Sequence, residues 1–490
     1  MHNKRKPSPL PPMWWEHSSG IVRFYPKLRG QTLRDIIDAL DRVQEWGFDA
    51  IEVFAPYHGG TEYAGLDVKD YYRVDPAIGT MDDFLELVDR CHERGLAIIA
   101  FLNLGYGAMD FPVFLRACDD VRAGIGSPET HWFLWSDTGT EELDKSLAPH
   151  FMNDTHGHWT YSDRAGKYYW VKWQGTGGDV ELPQFNFGDP LLQDEIRRVV
   201  AFWMETGVDG MIIDAVNWYI NCNWQINNET MTGVVRRYPN QYIQPEGGGG
   251  FGDDPLLWIE QGRYNSVQDY GLSIWWTDRY VLGDAILSGD PSAIEPALND
   301  YRDRVVAAGG VTYIGPRWLT DLKKDERLSH DQMLLEAVCI ATVGELFYAD
   351  DLILDLDWPR ERTATLRRIL RTLQATPALQ AAGERRQLPT NDDRKFYAFL
   401  RTSKDDMERA LVVLSFQGEP QDVLVTLDRP TRLREILSNG EVTGGAKAGS
   451  ESDVQFSLPA YGYGIYRMDP TQEENTWRSG SVTTPSTSGC

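Results

Sequence analysis

The feature that most constrains this chain is a unit repeated along its first half: a helical stretch, a glycine, and a short run of apolar residues. Residues 31–46 (QTLRDIIDALDRVQEW) carry apolar side chains at helical spacing, Gly47 stops them, and 49–54 (DAIEVF) read as a short buried strand. The order recurs in 81–94, Gly95 and 96–102 (LAIIAFL), and again in 190–206, Gly207 and 210–213 (GMII). Pro190 sits near the start of the last of these helices, where a missing N–H costs nothing. Strands that are apolar throughout are buried on both faces, which is the signature of parallel βα units covered by helices. A doubly wound sheet and an eight-fold barrel both satisfy that pattern. The length of 490 residues favours the barrel, and no glycine-rich phosphate loop follows a strand.

Two segments break the rhythm. Residues 104–183 are rich in Gly, His, Trp and Tyr (GHWTYSDRAGKYYWVKWQGTGG) and are too long for a structureless loop, so they predict a small inserted subdomain. From about residue 395 the period becomes two (KFYAFLR, RALVVLSF, DVLVTL, GYGIYRM), which predicts a C-terminal antiparallel β-domain. The expected organisation is therefore an α/β fold: an N-terminal arm over 1–30, a (β/α)8 TIM barrel over 31–103 and 184–390, an inserted domain over 104–183 after strand three, a β-domain over 391–470, and a disordered low-complexity tail over 471–490.

Composition excludes several functions. Asp and Glu total 73 against 48 Lys and Arg, a net charge of −25, which disfavours nucleic acid and anionic membranes as partners. Five scattered cysteines without a C-x-x-C pair argue against a disulfide framework and a zinc site. No secretory signal and no run of about 18 apolar residues is visible, so a cytoplasmic location is the default expectation. No metal has a ligand set of familiar spacing; Asp110, Asp119 and Asp120 lie near the insertion without forming a calcium loop. The expectation is no metal and no cofactor, and the oligomeric state is left open.

In a βα barrel the chemistry sits at the C-terminal ends of the strands. Asp214 ends GVDGMIID, Glu246 ends YIQPE before GGGG, Asp321 follows VTYIGPRWLTD, and Asp67 lies in YAGLDVKDYY. Each alone could be a helix cap. Three acids at three strand ends also match the requirements of glycoside cleavage: one carboxylate attacks the anomeric carbon, and another about 5–5.5 Å away protonates the leaving oxygen. A third stabilises the cationic transition state. The aromatic group Trp132, Trp135, Trp159, Tyr168, Tyr169, Trp170 and Trp173 serves either as the insertion's own core or as sugar-stacking walls, and Asp350–Asp351 read as a strand-end cap at the rim.

These motifs resemble the α-amylase family, glycoside hydrolase family 13. GLDVKDYYRVDPAIGTMDDF is similar to the family's G-Y-D-V-x-D-Y-x-x-V-D-P-x-x-G-T-x-x-D-F, GVDGMIIDAV to G-V-D-G-F-R-I-D-A-V, LPQFNFGDP to the Q-P-D-L-N segment, and VGELFYADD to P-G-x-P-x-x-Y-Y-G-D-E. The resemblance covers roughly residues 30–470. It implies a catalytic barrel with an inserted domain B and a C-terminal domain. It also implies Asp214 as nucleophile, Glu246 as acid/base, Asp321 as third acid (preferred to Asp331 of SHDQ), and Asp67 as a substrate-binding aspartate. The departures are informative. Leu66 stands for the ring-stacking tyrosine, Phe101 for the strand-three aspartate, Tyr106 for a histidine, Ile212 for the arginine before the nucleophile, and Thr320 for the histidine before the third acid. Without that arginine Asp214 needs another partner, with Asn217 and Tyr219 nearby, and Trp218 joins the expected substrate-binding set. The implied activity is an intracellular retaining α-glycoside hydrolase or transglycosylase on a small saccharide or modified glycoside. The alternatives are a catalytically inactive carbohydrate- or protein-binding scaffold and a glycosyl isomerase using the same acids.

Overall fold

The computed structural model describes residues 8–60, 64–143, 157–171, 181–238, 241–250, 253–273, 279–319, 328–428, 431–444 and 452–469. Its centre is an eight-stranded parallel sheet. The strands are β1 (Gly20–Phe24), β2 (Ala50–Phe54), β3 (Ala97–Leu102), β4 (Gly210–Ile213), β5 (Tyr242–Pro245), β6 (Ser266–Gln268), β7 (Val311–Ile314) and β8 (Leu346–Asp350). They are ordered β5-β4-β3-β2-β1-β8-β7-β6, and the two ends meet where Asn265 N–H donates to the Ile243 carbonyl at 2.9 Å and Ile243 N–H to Asn265 Oδ1 at 2.8 Å. The sheet is thereby almost closed into a barrel.

The helices begin and end where their capping residues dictate. Helix α1 (Leu33–Trp46) starts with a capping box between Thr32 and Asp35 and stops at Gly47, whose φ of 88° suits glycine. Helix α2 (Met81–Glu93) repeats the box with Thr80 and Asp83, and α3 (Pro190–Glu205) is capped by Asp189 with Pro190 in its first turn. Helices α4 (His330–Val343) and α5 (Arg360–Gln374) precede and follow β8.

The barrel begins earlier than the sequence suggests. β1 lies inside the 1–30 stretch read as an arm, pairing with β2 and β8. Among the described residues only a short 3-10 turn, Trp14–His17, precedes it, and Arg23 interrupts its apolar pattern, so it lacks the recurring signature. Just before it, Trp14 and Trp15 pack on Tyr242, with ring centroids 5.6 and 6.0 Å away. Residues 1–7 of the expected arm and the 471–490 tail lie outside the described residues.

The insertion holds a helix (Pro112–Ala123) and a small antiparallel sheet of Trp135–Ser136, Lys167–Val171 and His158–Ser162. Its aromatic residues pack on one another: Phe114, Phe133, Trp135 and Tyr169 share ring contacts, and Trp159 meets Trp170 edge-on at 5.2 Å. Tyr169 and Trp170 are buried, so here these rings form the subdomain's own core. Trp173 lies outside the described residues.

The C-terminal strands are β9 (Glu384–Leu388), β10 (Phe396–Thr402), β11 (Arg409–Ser415), β12 (Gln421–Leu427), β13 (Arg432–Ser438), β14 (Glu441–Gly444), β15 (Ser452–Leu458) and β16 (Tyr463–Asp469). They form two antiparallel sheets, β9-β10-β11-β16-β13 and β12-β15-β14, around their own apolar core. β9 pairs with β10 although it precedes residue 391, where the β-domain was expected to start. Its alternation of charged residues (ERRQL) hides it as a strand. Buried Arg401 donates to the Val343, Ala378 and Gln380 carbonyls, fastening the sheet to the C-terminal end of α4. Among the described residues, no helix is long and apolar enough to cross a membrane.

Candidate active site

Strand register brings the acids together. β4 lies between β3 and β5, with Phe101 opposite Ile212 and Ile212 opposite Gln244. Asp214 therefore emerges just past the end of β4, and Glu246 just past the end of the adjoining β5. The Asp214 N–H donates to the Leu102 carbonyl at 2.9 Å, and the Glu246 N–H to the Ile213 carbonyl at 2.8 Å. Both acids thus continue the ladder hydrogen bonding of the sheet, which fixes where their side chains start.

Asp214 is buried, and its carboxylate accepts a hydrogen bond from the Tyr106 hydroxyl at 2.9 Å. Tyr219 supports the main chain instead: its hydroxyl donates to the Asp214 carbonyl at 2.8 Å and accepts from the Leu104 N–H at 3.1 Å. The Tyr219 ring stacks on Phe187 at 4.8 Å and runs so close to Gly105 that a Cβ there would lie 2.4 Å from the ring. Asn103 organises the loop that presents Tyr106. Its side-chain amide donates to the Leu66 and Tyr106 carbonyls, and its Oδ1 accepts from the Gly105 N–H. The Tyr57, Tyr71 and Tyr219 hydroxyls are pushed well up, first by burial and then by neighbouring charges that include Asp214, so they are neutral hydrogen-bonding groups around the carboxylate.

Glu246 is half-buried, and its Oε2 accepts the Ala215 N–H at 3.0 Å. Ala215 has φ 41°, a left-handed conformation that is costly for a residue with a Cβ. That conformation is occupied immediately after Asp214, and the N–H it presents holds the second carboxylate one residue away from the first. Burial raises Glu246 above the ordinary glutamate range, while the Ala215 N–H and the positive charge of Arg23 work against the rise. A glutamic acid whose proton is held more tightly than usual is suited to protonating a leaving group.

Arg23 and Glu52 are a part of this site that the sequence reading missed. They sit opposite each other on β1 and β2, with Arg23 Nε 2.6 Å from Glu52 Oε1. Tyr348 donates to Glu52, and Arg23 donates to the Tyr25 hydroxyl at 2.9 Å. The guanidinium lies 4.7 Å from the Tyr348 ring and 5.1 Å from that of Phe101. Phe101 itself stacks on Phe54 at 4.5 Å. Ile212 is a buried apolar residue of β4, and the cation beneath these strand ends comes from β1. Removing one member of a buried pair leaves the other uncompensated, so Arg23→Met should destabilise the fold by about 3 kcal/mol. Burial already raises Glu52. A raised carboxyl contributes stability that is full at low pH and is lost as pH climbs through its folded-state pKa, and losing Arg23 raises that pKa further. Denaturation should therefore show a larger deficit near pH 8 than near pH 5, and Glu52→Gln on the variant should recover much of it. An equal deficit at both pH values contradicts this account.

The other expected residues fall as follows. Asp67 is buried beside Gly60, and its charge is felt by Lys27, Lys69 and the same Tyr57 that senses Asp214. Leu66 is buried, with its carbonyl engaged by Asn103. Ile212 and Phe101 are buried strand residues, and Trp218 is buried with its carbonyl accepting from Gln184 Nε2 at 2.7 Å. Asn217 Nδ2 reaches toward the Gly247 carbonyl at 3.5 Å. Thr320 and Asp321 lie outside the described residues. The rival Asp331 sits in the first turn of α4 and pairs with Arg362. Asp351 pairs with Arg29 and accepts from Gln31 at 2.8 Å. Asp110 pairs with Lys69, and Asp119 with Arg164. Among the described residues no group of three or more His, Cys, Asp or Glu is arranged to hold a metal ion.

Comparison with known proteins fits this architecture. Residues 22–246, a little under half of the chain, match the family model described as alpha amylase, catalytic domain. The trehalose synthase/amylase TreS of Mycobacterium tuberculosis (strain ATCC 25618 / H37Rv) is 30% identical over 214 residues, covering 42% of this chain and 34% of that protein. The trehalose-6-phosphate hydrolase of Escherichia coli (strain K12) is 29% identical over 213 residues, covering 42% and 36%. The chain thus aligns with about a third of the length of these curated relatives. Among solved structures, the α-amylase from H. orenii superposes with a TM-score of 0.70 at 17% identity, covering 93% of this chain and all of that one. That likeness is one of fold.

Proposed function

We propose that this barrel mouth is the active site of a retaining α-glycoside hydrolase or transglycosylase acting on a small saccharide or modified glycoside. The observation that carries the reading is the junction of Asp214 and Glu246, where the strained Ala215 N–H following one acid binds the carboxylate of the other. In the first step the Asp214 carboxylate bonds to the anomeric carbon while Glu246 gives its proton to the departing oxygen, breaking the glycosidic bond. In the second, Glu246 takes a proton from water or a sugar hydroxyl whose oxygen displaces Asp214, and both acids return to their starting states. Asp321 is assigned the third, transition-state-stabilising role from the sequence alone.

The apolar side chains at Leu66, Phe101 and Ile212 support a ring less hydroxylated, or held differently, than an ordinary glucosyl unit. Buried sugar hydroxyls left unpaired there would cost about 1–3 kcal/mol each. The relatives' names, a trehalose synthase/amylase and a trehalose-6-phosphate hydrolase, support small α-linked substrates and leave both transfer and hydrolysis open. The test is product analysis on trehalose, maltose, isomaltose, sucrose and trehalose 6-phosphate. Cleavage or transfer with retained anomeric configuration is expected. Rearrangement to an isomeric disaccharide would make the protein an isomerase using the same acids. Binding with quantitative recovery of every sugar would leave the scaffold reading.

A further inference from the structure

Away from the barrel mouth, a cleft of about 880 Å³ opens between helix α5 and strands β13 and β16. Its walls carry five arginines: Arg360, Arg367, Arg368 and Arg371 from α5, and Arg467 from β16. Among the described residues no Asp or Glu lines it, in a chain with 73 of them and a net charge of −25. Arg367 approaches Glu45 at 3.8 Å and lies over the Trp46 ring, and Arg467 pairs with Glu408 at 3.0 Å. Arg360, Arg368 and Arg371 form no ion pair among the described residues.

A basic helix face is ordinarily a solvated surface. This one differs because the cations converge on a concavity and a second element supplies one of them from across it. On α5, Arg360, Arg367 and Arg371 follow one another at spacings of seven and four, placing them along one face over about 16 Å. Like charges at such spacing destabilise a helix unless something neutralises them. The lining also includes Trp358, whose ring is held by stacking on Trp318 at 4.7 Å.

We propose that this cleft binds a small organic molecule carrying two or more phosphate groups. Guanidinium forks match phosphate oxygens in pairs, and several of them distributed along a groove match several phosphates better than a single one. The volume is that of a small-ligand site, and Trp358 offers an apolar wall for the organic part. A nucleic acid fits less well, because phosphates beyond the cleft would run over an acidic protein.

The test uses the full chain and isothermal titration with ATP, fructose 1,6-bisphosphate and pyrophosphate at low salt. The first two distinguish a nucleotide from a sugar bisphosphate, and pyrophosphate reports the phosphate contribution alone. At least one organic phosphate should bind with a submillimolar Kd, more tightly than pyrophosphate. The double variant Arg368→Ala/Arg371→Ala should weaken it by about 10-fold or more. Arg360→Glu should do likewise, while Arg116→Ala, on the insertion, should leave it unchanged. Raising the salt concentration should weaken binding. The proposal is overturned if none of the three probes binds the wild-type chain at about 1 mM, or if both cleft variants bind as the wild type does.

Discussion

Asp214→Asn should lower kcat/KM on the substrate found among the α-linked sugars by about 10⁴-fold or more, because the amide cannot form the covalent bond to the anomeric carbon. The surroundings are arranged to tolerate the change. Tyr106 donates to the side chain and Tyr219 to the main-chain carbonyl, and both bonds have an acceptor in asparagine. Thermal unfolding should therefore change little while turnover is lost, which separates chemistry from structure. A variant that keeps more than about a tenth of wild-type activity would remove Asp214 from the reaction.

Glu246→Gln is expected to cost about 10²–10⁴-fold on sugars with poor leaving groups, the usual contribution of a general acid. On a glycosyl fluoride, whose leaving group needs no proton, the first chemical step should be largely restored. The pH profile supplies an independent check. Burial raises Glu246 above its ordinary value of 4.5, and the acid works only while protonated. Activity should fall as pH rises through the Glu246 pKa, which burial places above the ordinary glutamate value, and the glutamine variant should lose that alkaline limb. An unchanged limb would assign it to another group.

Much of the architecture is legible in the sequence because its physical causes are local. Thr32, Thr80 and Asp189 cap helices that the apolar period already marks, and the strands after them are short, fully buried runs, apolar but for Glu52. β1 and β9 escape because their stability is not local. Gly20–Phe24 is a strand because β2 and β8 flank it, and Glu384–Leu388 because it lies at the edge of a sheet.

The site divides in the same way. Asp214 and Glu246 are visible as acids ending apolar strands. Arg23 and Glu52 are visible only as charges inside two such strands, GIVRF and AIEVF. Recognising them as a pair requires the register that sets them opposite each other. Asn103 gives no sequence signal, since its role is to bond the main-chain carbonyls of Leu66 and Tyr106, acceptors that any residue type would supply. The resemblance sets Tyr106 against a histidine, and its bond to Asp214 becomes apparent only once the loop after β3 is folded over the end of β4.

The most direct test of the central claim is to look for the bond itself. The Glu246→Gln variant, incubated with activated α-glycosyl fluorides of several sugars, should accumulate a glycosyl ester. Peptide mass spectrometry should place that ester on Asp214, and the added Asp214→Asn substitution should abolish it. An adduct on a different residue, or full turnover of a glycosyl fluoride by the Asp214→Asn protein, would contradict the account.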